Sequence, residues 1–483
     1  MRATTLSAFL FAFLAAALAM LQAPADSDMF WHLEQGDWTI SHGMVLTTDM
    51  WSFTRAGATY NTGAWLGDVV MSTAYGPQLV TGTFSGTDSS GLGWLGLDIL
   101  RAVLVGFAAF FTARITLRVQ PHLGWAAVPV LGTILVSRMV WGDRPQLFTL
   151  ALFPLVLDLL FAWRLEGRTR ALVALPFVFV LWANLHNAFV IGLVAVAIFA
   201  IDAWLEGERR MRVPALATLV ACVVATQLNP AGGGAVARAA AYGALLPGWI
   251  VEDRALDVLS GAGLVFATLL LAAIAAAMLR GREGIAARLG APLLWPGLIA
   301  PFTVLALAIQ RETPYACMVL APFVAAMVPD AIGRPRIVAP VVPRVIGLAI
   351  VVVLAVALAL EAALAAPREP DLGAYPVGAV PLLGSLQGRP HLLNEYDWGG
   401  YLIRYAPTYP TFIDGRGEAV FVPDVLSEFQ RVVALAPGYR DVLKKWDIAL
   451  VLLRPDRPLV GALREDGWRV LGEDARWVML SRP

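Results

Sequence analysis

Eleven long apolar segments occupy most of this chain, and they constrain its fold more than any other feature. A helix needs roughly 20 mostly apolar residues to cross a lipid bilayer, and these segments approach or reach that length. They are 5–23, 95–117, 123–140, 145–163, 170–186, 188–205, 213–228, 259–280, 290–309, 314–329 and 343–365. The sequence therefore predicts an α-helical polytopic membrane protein with about 11 transmembrane helices.

Composition excludes the main classes of soluble protein. Hydrophobic residues make up 58% of the chain and charged residues 15%, whereas soluble domains are about 45–50% apolar and about 25% charged. Lys and Arg together number 36, as do Asp and Glu, so no net positive charge attracts nucleic acid. Cys222 and Cys317 lie in separate apolar segments. This placement excludes a disulfide framework and a cysteine-based metal cluster.

The arginines predict the orientation of the helices, because cytoplasmic loops carry an excess of Arg and Lys. We interpret segment 5–23 as an uncleaved signal anchor with the N-terminus inside. The inner loops then hold Arg114, Arg118, Arg164, Arg168, Arg170, Arg209, Arg210, Arg212, Arg280, Arg282, Arg288, Arg334, Arg336 and Arg344. The longer outer loops hold only Arg55, Arg138, Arg144, Arg238, Arg254 and Arg311. This distribution predicts a cytoplasmic N-terminus and an extracytoplasmic C-terminal segment.

Two long segments fall on the outer side. We predict a transmembrane domain over 1–365, which includes an outer loop at 24–94, and a small extracytoplasmic α/β domain over 366–483. Within the loop, amphipathic stretches are expected at Phe30–Ile40 and Trp65–Tyr75. In the C-terminal domain we expect strands at Thr411–Ile413, Ile448–Leu453 and Trp477–Leu480, and helices at Val425–Leu435, Tyr439–Lys445 and Leu459–Asp466.

An acidic cluster directly follows the first apolar segment. Asp26 and Asp28 are two residues apart, and Asp28 and His32 would share one face of a helix at positions i and i+4. Two such carboxylates can hold a divalent cation, Mg²⁺ or Mn²⁺, or one can act as a base while the other tunes its charge. The alternative is that both aspartates cap an interfacial helix. We predict Asp28, Asp26 and His32 as the catalytic group.

Three arginines lie at the outer ends of apolar segments, where Arg should be rare. Arg138, Arg144 and Arg311 could bind the phosphate of a lipid-linked donor, because a guanidinium matches phosphate oxygens in a bidentate fork. The alternative is that each extends to the lipid headgroups.

Further polar candidates lie at the outer end of segment 170–186 and in the C-terminal domain. Asn184 and His186 lie two residues apart there, and His186 could be a base, a metal ligand or a structural histidine of the helix bundle. Arg416 belongs to the stretch FIDGRGE (412–418). It could contact donor or acceptor, or it could belong to a structural charge network.

At these residues the chain resembles the GT-C class of integral membrane glycosyltransferases, and within it a largely uncharacterised bacterial branch. That branch reads Asp-Pro-Asp-Leu-Trp-Trp-His-Leu after its first span, and this chain reads DSDMFWHL at 26–33. Later islands match at 36–40, 48–54, Trp65–Asp68, Arg144–Gln146, Asn184–Asn187, 394–402 and 412–418. Asn187 and Asp68 depart from the Gly and Glu that are usual in the branch.

The resemblance implies transfer of a sugar from a polyprenyl-phosphate donor to an envelope acceptor on the outer face of the bacterial inner membrane. The acceptor could be a glycan, a lipid or a protein. Substrate-binding roles are implied for Asp49, Asp68, Asn184, His186 and Arg416. Two other functions stay open: a transporter or flippase of lipid-linked glycans, and a non-catalytic envelope-assembly partner. The acidic first loop, the absence of internal repeats and the polar residues on one face favour the enzyme over the transporter.

Overall fold

The computed structural model describes residues 2–23, 26–59, 63–76, 92–230, 234, 236, 251–331, 371–421 and 424–483. The chain divides into two compact units. Unit 1 comprises Met1–Gln22 and Asp98–Pro367, and unit 2 comprises Ala23–Leu97 and Arg368–Pro483. The transmembrane segment predicted at 343–365 lies outside the described residues.

Unit 1 is helical, and every apolar segment predicted within its described residues overlaps a helix. The helices are α1 (Arg2–Met20), α4 (Trp94–Val119, which begins in unit 2), α5 (Leu123–Ser137), α6 (Gln146–Glu166), α7 (Arg170–Leu185), α8 (Phe189–Leu205), α9 (Arg209–Ala225), α10 (Gly261–Leu289), α11 (Leu294–Ala308) and α12 (Thr313–Ala331). In the described part of the chain, five helical segments are long and apolar enough to cross a membrane, and four further apolar helices are shorter. These findings confirm a multi-pass helical membrane protein.

Helices α6 and α12 form the centre of unit 1. In each, 89% of the most apolar 18-residue window is buried, whereas in α10 only 28% is buried. Aromatic side chains fill the contacts of the central helices: the Phe153 and Tyr315 ring centroids are 5.4 Å apart, and Phe161 stacks on Trp295 at 5.0 Å. A helix that is apolar on all sides and mostly unburied, like α10, suits a lipid-facing position.

A buried arginine lies inside unit 1, at a position that the sequence analysis did not single out. Arg101 on α4 is fully buried, and its Nη1 donates to both carboxylate oxygens of Asp143 at 2.6 Å. Its Nε donates to the Ala19 carbonyl at 3.1 Å, and its Nη2 donates to Asp98 and to the Gln22 carbonyl. A buried charge is tolerated when it is paired in this way. Arg101 therefore ties the C-terminal end of α1 to α4.

Unit 2 is built around a four-stranded sheet in the order β1-β2-β4-β3. Its strands are β1 (His391–Asn394), β2 (Ile448–Leu453), β3 (Arg469–Glu473) and β4 (Val478–Ser481); β1 and β2 are parallel, and the other pairs are antiparallel. Its helices are α2 (Met29–His42), α3 (Trp65–Tyr75), α13 (Ala379–Ser385), α14 (Gly399–Tyr405), α15 (Gly417–Val420), α16 (Asp424–Val433), α17 (Tyr439–Lys445) and α18 (Pro458–Glu465).

Alternate strand residues face two separate apolar cores, as the period of a strand requires. Val451 and Leu453 pack with residues of α16, α17 and α18. Leu450 and Leu452 pack on the other face with residues of α13, α14 and the start of α2. The helix that carries the acidic motif is therefore anchored to the sheet of the C-terminal segment. The sequence predicts 24–94 as a loop of the transmembrane domain, whereas the described residues of this segment belong to the same compact unit as the described residues of the C-terminal segment.

The local predictions for the C-terminal segment vary in accuracy. Strand β2 and helix α17 match their predicted bounds, whereas β1 and β3 were not predicted. The strand predicted at Thr411–Ile413 was wrong. Thr411 forms only an isolated bridge with Ser52. The Asn394 side chain instead accepts from the Phe412 N–H and donates to the Ile413 carbonyl, both at 2.8 Å. At Phe412 and Ile413 this side chain therefore takes the place of the partner strand that a ladder would need.

Candidate functional site

The acidic motif lies at the turn that leads into α2. The backbone N–H of Asp28 donates to Asp26 Oδ1 at 3.0 Å. Asp28 directly precedes α2, yet its side chain accepts no capping hydrogen bond from the helix. Asp26 thus shapes the turn, and the capping hypothesis does not describe Asp28. Asp28 is half-buried.

Two glycines of the C-terminal motifs lie against this turn. A Cβ atom on Gly415 would lie 2.0 Å from Asp28 Oδ1 and 2.9 Å from Trp31 Nε1. A Cβ on Gly400 would lie 3.0 Å from the Ser27 carbonyl oxygen and 3.2 Å from Trp31 Cδ1. A side chain at either position would require the neighbouring atoms to shift. The stretches NEYDWGGYL (394–402) and FIDGRGE (412–418), distant in sequence from Asp28, therefore meet it in space.

His32, one turn along α2 from Asp28, is held by a buried carboxylate. His32 Nδ1 lies 2.6 Å from Asp68 Oδ1, and Gln35 Nε2 donates to Asp68 Oδ2. Asp68 and Gln35 are fully buried, and His32 is 6% exposed. A carboxylate at Nδ1 favours the tautomer that has its proton on that nitrogen, and this leaves Nε2 able to accept a proton. The predicted substrate ligand Asp68 thus contacts His32.

Arg416 lies at the centre of a buried group of charges. Its Nη1 donates to Asp49 Oδ1 at 2.5 Å, and its Nε and Nη2 donate to Asp414 Oδ1 and Oδ2 at 2.8 and 2.7 Å. The side chains of all three residues are 0% exposed. The guanidinium lies over the Trp51 ring, 5.0 Å from its centroid. Of the two roles left open, these contacts are those of a structural charge network.

A second buried arginine of unit 2, not singled out in the sequence, joins α2 to α14. Arg404 is 1% exposed, and its Nη1 lies 3.1 Å from Asp37 Oδ2 and 3.5 Å from Glu34 Oε2. Burial raises the pKa of Glu34 to about 7, although Arg404 opposes the shift. Spacing could have indicated Glu34 and Asp37, since they recur at i and i+3 on one helix, but the sequence offered no signal for their partner.

In unit 1, two of the three predicted phosphate ligands are paired with one short segment. Arg311 Nη1 lies 2.9 Å from Asp253 Oδ1, and Arg144 Nη2 donates to Glu252. Both acids belong to a 3₁₀ turn at Val251–Asp253. Arg138 is exposed. Arg144 and Arg311 thus meet the same acidic turn.

The polar residues at the C-terminal end of α7 hold helix ends together. His186 Nδ1 lies 2.8 Å from the Thr149 hydroxyl, which also accepts from Trp182 Nε1 at 2.8 Å. Asn184 donates to the carbonyls of Val180 at 2.7 Å and Leu228 at 2.8 Å. These bonds are the kind that bundle polar residues make. A substrate-binding role for Asn184 and His186 remains a prediction.

The predicted site residues divide between the units. Asp26, Asp28, His32, Asp49, Asp68 and Arg416 belong to unit 2, and Arg138, Arg144, Asn184, His186 and Arg311 belong to unit 1. Among the described residues, no group of three or more His, Cys, Asp or Glu side chains is arranged to hold a metal ion. Asp26 and Asp28 alone would supply carboxylate ligands from this turn.

Comparison with known proteins identifies the fold. The chain is similar in structure to the archaeal oligosaccharyltransferase AglB from Archaeoglobus fulgidus, solved with an inhibitory peptide and a dolichol-phosphate. The TM-score is 0.56 at 12% identity, over 93% of this chain and 69% of AglB. It is also similar to ArnT from Cupriavidus metallidurans bound to undecaprenyl phosphate, with a TM-score of 0.52 at 12% identity, over 97% of this chain and 96% of ArnT.

No protein-family model and no curated protein matches the sequence. At 12% identity the two structural matches establish the fold alone. The chain therefore has the fold of AglB and ArnT along nearly its whole length.

Proposed function

We propose that the protein is a membrane glycosyltransferase that moves a sugar from a polyprenyl-phosphate donor to an envelope acceptor on the outer face of the bacterial inner membrane. One observation carries the proposal. Both of these solved structures that share its fold hold a polyprenyl phosphate, dolichol-phosphate in one and undecaprenyl phosphate in the other. Multi-pass helices and the Arg distribution support the location, with the C-terminal segment outside the cytoplasm.

Arg311 and Arg144 are the candidates for binding the donor phosphate. A guanidinium carries five N–H donors, so Arg311 retains donors when one nitrogen pairs with Asp253. Its side chain is 22% exposed. Arg138, which is exposed, is the third candidate. Positive charge at the phosphate stabilises the negative charge that develops as this group leaves.

Asp28 is the candidate base for the acceptor. The acceptor hydroxyl gives its proton to the Asp28 carboxylate, and its oxygen forms a bond to the anomeric carbon of the sugar. The bond from that carbon to the phosphate oxygen breaks, and polyprenyl phosphate leaves with the electron pair. His32, one turn along α2 and held by Asp68, is the second candidate proton acceptor.

The remaining assignments support this reaction. Asp49 and Arg416, which are buried, position the loop that contains Gly415. Asn184 and His186 remain candidates for substrate contact in unit 1. A divalent cation would be held by Asp26 and Asp28 and would supply charge stabilisation at the phosphate.

Purified protein given a polyprenyl-phosphate sugar and a crude envelope fraction as acceptor tests the proposal. Asp28→Asn should lower the rate of sugar transfer about 10²-fold or more, because a positioned acid or base contributes about 10²–10⁴-fold. Asp441→Asn, at an exposed carboxylate of α17, is the matched control and should transfer sugar at the wild-type rate. Equal rates in wild type and Asp28→Asn would refute the assignment. Movement of intact donor across vesicles without transfer would support the flippase instead.

A further inference from the structure

The closest approach to the Asp28 carboxylate comes from the backbone of the C-terminal segment. A Cβ atom on Gly415 would lie 2.0 Å from Asp28 Oδ1 and would overlap it. Real Cβ contacts of that length do not occur. The absence of a side chain at 415 thus leaves free the space that the carboxylate occupies, and an added Cβ would displace the carboxylate.

The buried indole of Trp31 lies beside Gly415 and limits the positions that the Asp28 carboxylate can adopt. Trp31 is 8% exposed, and its Nε1 is buried and has no hydrogen-bond partner in the described part of the structure. The same Cβ on Gly415 would lie 2.9 Å from this nitrogen. The indole N–H and the Asp28 carboxylate therefore approach the same point of the backbone. Gly400 admits the Trp31 ring on the neighbouring side.

Gly415 is held in position by its two neighbours in the sequence, Asp414 and Arg416. Asp414 and Arg416 are joined by paired hydrogen bonds of 2.8 and 2.7 Å, and Arg416 is joined to Asp49 at 2.5 Å. Gly399 packs against Asp414, since a Cβ there would lie 2.4 Å from Asp414 Cβ. A loop held by fully buried charges has little freedom to retreat from a clash.

We propose that Gly415 is a positioning residue that fixes the Asp28 carboxylate for the transfer reaction, so that the C-terminal segment is part of the catalytic machinery and not only a cover. The inference rests on the proposed function and on Asp28 as the base. The buried charges around Arg416 then serve the reaction indirectly, by holding Gly415 in place.

The test is Gly415→Ala in the purified full-length protein. The added methyl group must displace the Asp28 carboxylate by about 1 Å while its charge stays unchanged, and a misplacement of this size can cost about 10²-fold in rate. We expect kcat to fall about 10- to 100-fold with an unchanged KM for the donor. Gly384→Ala, at a helical glycine of α13 with nothing within 4 Å of its Cβ, is the control and should retain wild-type kcat.

A double-mutant cycle separates positioning from a general structural effect. If Gly415 acts through Asp28, then Gly415→Ala should cause no further loss of rate in an Asp28→Asn background. Independent, multiplicative losses would overturn the inference, as would wild-type kcat in Gly415→Ala.

A variant that fails to fold also gives a decisive result. If Gly415→Ala does not accumulate, the added change Asp28→Ala removes the clashing oxygen and should restore its level. Failure to restore it would overturn the inference. If the wild-type protein transfers sugar and Gly415→Ala has the same kcat, this inference alone is refuted. If the wild-type protein transfers no sugar, both the proposed function and this inference are refuted.

Discussion

Replacing Arg416 with Ala should destabilise the protein before it affects chemistry. The change leaves the carboxylates of Asp49 and Asp414 without the guanidinium that pairs them, and both side chains are fully buried. Removing one partner of a buried ion pair costs about 3–5 kcal/mol. For a unit of this size each kcal/mol lowers Tm by about 2–4 °C, so we expect a decrease of about 6–20 °C.

Thermal unfolding of the purified protein in detergent, followed by tryptophan fluorescence, measures this effect. Trp51 lies over the Arg416 guanidinium and provides a local signal. Arg416→Lys keeps the positive charge but loses the bidentate hydrogen bonds of the guanidinium, so it should give a Tm between those of the wild type and Arg416→Ala. Arg440→Ala removes an exposed arginine that pairs with Asp466, and it should leave Tm nearly unchanged. An unchanged Tm in Arg416→Ala together with lost transfer would refute this reasoning and return Arg416 to a role in substrate binding.

Two further predictions concern α2. Gly36→Ala places a Cβ 2.3 Å from the backbone oxygen of Asp68, so it should separate α2 from α3 and lower the free energy of unfolding by about 1–3 kcal/mol. The control Gly461→Ala, which has open space around its Cβ, should leave the free energy of unfolding unchanged. Equal stability of the two variants would contradict the close packing of α2 on α3. Glu34 has a pKa of about 7 in the folded state, above its ordinary 4.5, so its ionisation opposes folding. The free energy of unfolding should fall by up to about 3 kcal/mol as pH rises from about 4.5 through about 7, and Glu34→Gln should remove this dependence; a pH profile that is the same in both proteins would exclude Glu34 as its source.

Local signals in the sequence account for the helices. An apolar run long enough to cross a bilayer indicates a helix without reference to the rest of the chain, and α2 and α3 coincide with the amphipathic stretches predicted for the outer segment. Strand β1 has three consecutive buried residues and strand β3 is mostly exposed, so neither shows the alternation of apolar and polar residues that marks a half-buried strand. Thr411–Ile413 has the composition of a strand, but only Thr411 bonds a neighbouring backbone, at Trp51 and Phe53. The Asn394 side chain bonds Phe412 and Ile413.

The sequence indicated which motifs to consider for the candidate site, but it did not indicate which of their residues contact one another. The acidic motif, FIDGRGE and NEYDWGGYL each stood out from the sequence, yet their meeting depends on the packing of α2 on the sheet. Arg101 and Arg404 were missed because a single arginine within an apolar or mixed helix carries no local mark of its buried partners. Gly415 was missed because the absence of a side chain acquires meaning only when the neighbouring atom is known.

The amount of sugar-loaded polyprenyl phosphate in membranes tests the central claim most directly, because it requires no knowledge of the acceptor. We would quantify this lipid and the envelope glycans by mass spectrometry in cells that produce the wild-type protein, Asp28→Asn or Asp441→Asn at equal levels. The wild-type protein and Asp441→Asn should deplete the sugar-loaded lipid and add the mass of that sugar to an envelope species, and Asp28→Asn should do neither. Identical lipid pools and envelope species in wild type and Asp28→Asn would contradict the proposal that Asp28 drives glycosyl transfer.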